Sequence, residues 1–226
     1  MRGWTRGVLA VVLCTACGDD TGSGEDAPEP SGGTNIECGS ATLPGHLVIE
    51  SEADLSALDG VRAVEGELQV NRTNFTNLDF LGCIEEVGGE LTIFGNTALI
   101  DVSGLDRLRH AGASLVFSEN TAITELSGIG ALTQIDGSLV IQGNARLQEL
   151  SGMASVHTIG GALTIRENDS LLHIDGLRGL RTLGTLFAVT HNPSLCISSV
   201  NQVGVGITNP AEPGDNWSTR ANDNSC

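Results

Sequence analysis

Residues 91–117 read LTIFGNTALIDVSGLDRLRHAGASLVF, and residues 115–141 read LVFSENTAITELSGIGALTQIDGSLVI. Laid over each other with a shift of 24, the two stretches agree column by column. The segments Leu91-Thr92-Ile93, Leu115-Val116-Phe117, Leu139-Val140-Ile141, Leu163-Thr164-Ile165 and Phe187-Ala188-Val189 start at successive steps of 24. Leu68-Gln69-Val70 lies 23 before the first of these, and Leu47-Val48-Ile49 lies 21 before that, so seven coils are legible. Repetition at such a period marks a chain built from stacked supersecondary units.

Other columns keep step. Asn96, Asn120, Asn144, Asn168 and Asn192 each fall five residues after the first apolar residue of a segment. Leu99, Ile123, Leu147, Leu171 and Leu195 follow three later, and then come Val102, Leu126, Leu150 and Ile174. Leu105, Ile129, Met153 and Leu177 precede Leu108, Leu132, Val156 and Leu180. Gly104, Gly128, Gly152 and Gly176 each follow Ser or Asp, which reads as a turn needing an unhindered backbone.

An apolar-polar-apolar segment buries alternate side chains, and stacking equal coils about 4.8 Å apart pairs their backbones in a parallel ladder. One coil cannot bury its apolar face alone, whereas seven share a continuous core. The expectation is an all-β parallel solenoid whose Asn column turns inward, bonding backbone and the Asn above and below. The rival is a leucine-rich horseshoe with a helix in each coil. Apolar gaps that stay at three without shifting to four, with Gly inside each run, disfavour an α-helix.

The grammar G-x-L-x-I-x-x-N-x-x-L-x-x-[VLI]-x-G-L-x-x-L resembles the receptor L domain, the ligand-binding module of the epidermal growth factor and insulin receptors. The stretch Cys83-Ile84-Glu85-Glu86-Val87-Gly88-Gly89-Glu90-Leu91-Thr92-Ile93 is similar to that family's disulfide cysteine followed by glycine and the next strand. The likeness covers about residues 38–196 and implies a right-handed parallel β-helix. Members bind polypeptide ligands, which implies recognition as the class of function. No motif for the family's ligand contacts appears here.

Ahead of the repeats, Arg2 and Arg6 precede the short apolar run Val8–Leu13, too brief to span a bilayer. Leu13-Cys14-Thr15-Ala16-Cys17-Gly18 resembles a bacterial lipobox, although Cys14 stands where Leu is usual. Residues 1–16 are thus expected to be a signal peptide and Cys17 the acylated new N-terminus. Gly18 after that cysteine resembles the pattern of an outer-membrane destination. Were Thr15-Ala16 a plain signal-peptidase site, the product would instead be secreted. Residues 17–36 are rich in Gly, Ser, Pro and acids and cannot build a core, so they read as an acidic tether. Their r.m.s. reach is about 25 Å.

Residues 37–66 are expected to form an N-terminal cap and irregular first coil, 67–195 the regular repeats, and 196–226 a C-terminal cap. Four cysteines remain after Cys17, and three pairings are open to them. The repeat map favours Cys38–Cys83 and Cys196–Cys226, one at each end, with Trp217 as the large apolar group available to plug the second. No CxxC pair remains in the processed chain, which argues against a zinc site.

The chain carries 11 Arg and no Lys against 28 acids, a formal charge of −17. Loss of residues 1–16 removes two Arg and brings this to −19. Such a chain repels nucleic acid and anionic headgroups, so neither is an expected partner; contact with a membrane would come through the N-terminal lipid only. The five His residues lie in different columns, and no HExxH, GxSxG or phosphate-cradling loop appears. A non-catalytic protein without cofactor is expected. A carbohydrate-active β-helix enzyme is the weakest alternative, since Arg166 has no acidic cluster beside it.

Two surfaces carry the functional reading. One is a strip of Asp101, Glu125 and Glu149, followed by His173, with Ca²⁺ or a cationic partner as its candidate occupant and a solvated turn as the plain alternative. The other is the outward face of the main sheet, with Thr92, Val116, Val140 and Thr164 in one column and Phe94, Ser118, Gln142 and Arg166 in the next. Small and mostly uncharged, with Phe94 expected to be exposed, it is the candidate binding face for a protein or glycan partner. A structural spacer of the cell envelope without a discrete ligand is the alternative.

Overall fold

The structure is a computed structural model, and it describes residues 38–210 and 217–226. Cys17, the expected signal peptide and the expected tether lie outside the described residues. The body is a parallel β-solenoid. Its main sheet holds eight parallel strands in the order of the chain, from Leu47–Ile49 through Leu68–Asn71, Leu91–Phe94, Leu115–Ser118, Leu139–Gln142, Leu163–Arg166 and Phe187–Thr190 to Trp217–Ser218. Leu91, Leu115, Leu139, Leu163 and Phe187 are lateral neighbours in register.

A second sheet of seven short parallel strands closes each coil on another side, running from Ala41–Leu43 to Thr182–Leu183. Between the sheets each regular coil makes one short 3₁₀ turn, as at Ser103–Leu105 and Ser127–Ile129. The third-residue spacing that admitted a helical horseshoe therefore belongs to turns of three residues, too short for the i→i+4 bonds of an α-helix.

Alternation fixes which way the main strands face. Leu91, Ile93, Leu115, Phe117, Leu139 and Ile141 are fully buried, while the residues between them are half-exposed. The apolar columns of the rest of the coil, such as Leu147, Leu150, Met153, Val156 and Ile159, are also sealed from solvent. All belong to one continuous aliphatic core. Each such side chain contributes roughly 1.5–3 kcal/mol by leaving water.

The Asn column lies inside this core, with Asn96, Asn120, Asn144, Asn168 and Asn192 fully buried. Each carboxamide Oδ1 accepts the backbone N–H of the corresponding residue one coil earlier. Asn120 N–H donates to Asn144 Oδ1 at 3.0 Å, and Asn144 N–H to Asn168 Oδ1 at 3.0 Å. Each Nδ2 reaches the carbonyl of the preceding coil's strand, as Asn144 does to Phe117 at 3.0 Å. The ladder extends beyond the five expected members. Thr73 begins it, its N–H and hydroxyl both donating to Asn96 Oδ1, and Asn222 ends it by accepting from Asn192 N–H at 3.2 Å.

The residue before each ladder member is left-handed: Arg72, Gly95, Glu119, Gly143, Glu167, His191 and Ala221 have φ between 53° and 68°. That conformation swings the chain off the strand and aims the next side chain inward. Glycine adopts it freely, whereas a residue with a Cβ is held there against its preference.

The second glycine column works differently. Gly104, Gly128, Gly152 and Gly176 do not have positive φ. A Cβ built on Gly152 would overlap the carbonyl oxygen of Leu126, and one on Gly128 that of Val102. These glycines are required because successive 3₁₀ turns touch backbone to backbone.

The two ends depart from the regular coil. At the first, a longer 3₁₀ turn, Glu52–Leu58, is held by Asp54, whose carboxylate accepts the N–H groups of Glu50 and Ser51 and the Ser51 hydroxyl. Cys38 is bonded to Cys83. At the other end Cys196 is bonded to Cys226, and the intervening segment holds an α-helix, Ile197–Gly206, that the Gly/Pro/Asn-rich composition did not announce. Ser199 on that helix accepts from Ile174 N–H and donates to Asp175, so the helix continues the 3₁₀ column by one step. The expected cap 196–226 also contains an eighth coil: Trp217 stacks on Phe187 with ring centroids 4.6 Å apart and pairs with it in the sheet.

Candidate functional site

Parallel pairing carries the outward residues of the main sheet into two straight columns. Gln69, Thr92, Val116, Val140, Thr164, Ala188 and Ser218 follow one another in register, and so do Asn71, Phe94, Ser118, Gln142, Arg166 and Thr190. All the candidate face residues thus lie on one surface. Val116 and Val140 form its half-exposed aliphatic centre, flanked by Ser118 and Gln142.

Phe94 is not the exposed anchor expected of it. It is half-buried, and the Arg72 guanidinium sits over its ring, 5.0 Å from the centroid. Arg72 reaches there because it occupies the left-handed position beside Asn71, Phe94's partner in the sheet. This cation–π contact covers one face of the ring, and Phe94, Val116 and Val140 are all half-buried.

Charge is distributed unevenly along the face. At the early coils Glu67 accepts from Gln69, and Glu90 from the Thr92 hydroxyl at 2.7 Å. At the later coils Arg166 is exposed and donates to Gln142 Oε1 at 2.8 Å, while Gln142 Nε2 donates to Glu167 at 2.9 Å. Beyond Arg166 the last two coils form a groove of about 440 Å³, lined by Leu186, Ala188, Thr190, His191, Ser218 and Arg220. Ala188 and Ser218 are paired and short, so the floor lies low between Leu186 and the Thr190–Arg220 side. Arg220 escaped sequence reasoning because its coil did. Its signal was the offset of five from Trp217 to Asn222, the same as from Phe187 to Asn192.

A second cavity, about 350 Å³, lies at the end of the body between the helix and the last coil, with Phe187, Val200, Val205 and Trp217 in its wall. It has no charged lining residue among those described.

The acidic strip is real as a column: Glu125 pairs with Glu149 and Glu149 with His173. Its side chains are exposed, and Asp101 turns to accept Ser103 N–H at 2.7 Å, ordering the following turn. Among the described residues no group of three or more His, Cys, Asp or Glu side chains is placed to hold a metal ion. On the second sheet His110 lies between Glu86 at 3.5 Å and Asp136 at 3.0 Å. Hydrogen bonds from Gln134 and then His110 hold the Asp136 carboxyl below its ordinary range.

Compared with known protein families, curated proteins and solved structures, the chain gives no match.

Proposed function

We propose that this chain is an envelope-anchored, non-catalytic interaction module. An acyl group on Cys17 and a tether over residues 18–36 hold the body, and the main-sheet face meets a protein or glycan partner. Gly18 after the acylated cysteine directs the anchor to an outer membrane. The observation that carries this reading is the uninterrupted register of outward columns over eight strands. A surface of that kind is fixed before any partner arrives, so binding loses little conformational entropy. The repeat grammar shared with the receptor L domain supports recognition as the class of function. The Val116–Val140 centre supplies apolar contact, and Ser118, Gln142 and Thr164 supply hydrogen bonding around it.

The test is capture from envelope extracts with the chain and with its Val140→Asp variant, read alongside hydrogen exchange of the captured complex. Capture lost in the variant, with slowed exchange at Val116–Ser118 and Val140–Gln142, is the expected result. Equal capture by both proteins, or exchange unchanged on this face, leaves an envelope spacer as the function instead.

A further inference from the structure

We propose that the groove on the last two coils binds an acidic saccharide, a sugar bearing a carboxylate. The inference rests on the interaction-face reading and names a ligand class for one end of that face. Arg166 and Thr190 are paired in the sheet, and His191 N–H donates to the Arg220 carbonyl at 3.0 Å, which sets Arg220 opposite Thr190. One column therefore presents guanidinium, hydroxyl and guanidinium on successive rungs. At about 4.8 Å per rung the two arginines stand roughly 9.6 Å apart at the backbone. Arg220 lines the groove beside Thr190, whereas the Arg166 guanidinium turns the other way, to Gln142 on the preceding coil.

In a chain with 28 acids and 11 arginines, neither of these two has a carboxylate partner among the described residues. Arg166 gives one N–H to Gln142, and Arg220 gives Nε–H to Ser218 Oγ at 3.4 Å. A guanidinium has five donors, so Arg220, which lines the groove, keeps most of its own for a ligand. The nearest acid in sequence, Glu167, accepts from Gln142 at 2.9 Å. A bound carboxylate takes the Arg220 guanidinium in the geometry that suits its planar fork.

The rest of the lining selects a sugar. Ala188 on the floor and Leu186 at the side give apolar contact for the C–H face of a ring, and the Thr190 and Ser218 hydroxyls line the same groove. A volume of about 440 Å³ lies in the range of small-ligand sites.

The test is calorimetric titration of the full-length chain with digalacturonate, with maltose as the neutral sugar and acetyl-trialanine as a peptide carboxylate. Digalacturonate is expected to bind, more weakly as salt rises, and to lose about tenfold in affinity in Arg220→Gln and less in Arg166→Gln, whose guanidinium points away from the groove. Both side chains are exposed, and unchanged melting checks that the variants fold. In the unaltered protein, digalacturonate is also expected to shift the amide resonances of Ala188 and Thr190. Absence of binding, equal binding of maltose, tighter binding of acetyl-trialanine, or unchanged affinity in Arg220→Gln overturns the proposal. If envelope extract still protects the Val116–Val140 centre while digalacturonate fails, the saccharide assignment falls and the broader reading stands.

Discussion

Replacing Asn144 by Leu keeps side-chain volume nearly constant and removes one rung of the internal ladder. Asn144 is fully buried. Its Oδ1 accepts the Asn120 N–H at 3.0 Å, and its Nδ2 donates to the Phe117 carbonyl at 3.0 Å and to Asn168 Oδ1 at 3.2 Å. Leucine supplies none of these. The Asn120 N–H is left in an apolar interior without an acceptor, at a cost of about 1–3 kcal/mol. The lost carboxamide bonds add about 0.5–1.5 kcal/mol each, and the greater apolar burial of Leu returns part of that. The net loss is expected to be about 3 kcal/mol, which lowers the melting temperature of a domain of this size by roughly 6–12 °C. Urea titration with matched m-values measures the loss, and hydrogen exchange at Asn120 should accelerate with it. A loss under about 0.5 kcal/mol, with Asn120 exchange unchanged, would refute the claim that the ladder supports the coils.

Gly152→Ala should destabilise by about 1–3 kcal/mol in urea, because its Cβ meets the Leu126 carbonyl and the two 3₁₀ turns must part; a neutral result would mean that the column has slack. In the left-handed column the sign reverses with the residue. Glu119→Gly should stabilise by about 1 kcal/mol, since φ is 58° there, and Gly143→Ala, at 68°, should cost about as much, both read from the midpoint of urea unfolding. The Asp136 carboxyl is held below its ordinary value of 3.8, so it binds a proton less readily folded than unfolded. Its contribution is therefore complete above that value and disappears as pH falls through the lower folded one. Asp136→Asn should flatten acid unfolding in that window and leave the His110–Glu86 contact in place, as followed by circular dichroism between pH 2 and 6.

The regular coils were legible because the same physical demand recurs every 24 residues. A strand needs apolar residues at alternate positions, a corner needs a buried amide, and a close contact between turns needs glycine. The second sheet was not legible, since pairs such as Glu86-Val87 and Thr158-Ile159 are too short to show alternation. The eighth coil was hidden by the helix Ile197–Gly206 and the residues after it, which stretch the interval from Asn192 to Asn222 to 30. Arg166 could be placed on the outward face of the main sheet from its column alone. Arg220 could not, because a residue's column is defined only once its coil is found. The cover over Phe94 was missed for a related reason: Arg72 occupies a left-handed position, and strand periodicity does not say where such a side chain points.

The detour between Asn192 and Asn222 has a bearing on how such a body can change its length. The ladder passes directly from Asn192 to Asn222, 30 residues on, so the interior registers only that another amide has arrived. Excising one full period, residues 115–138 for example, would bring Ser114 directly to Leu139 and set Asn144 beneath Asn96. The wall would be one course lower and otherwise undisturbed, whereas removal of a single residue from within a strand would turn the strand residues after it to the wrong side.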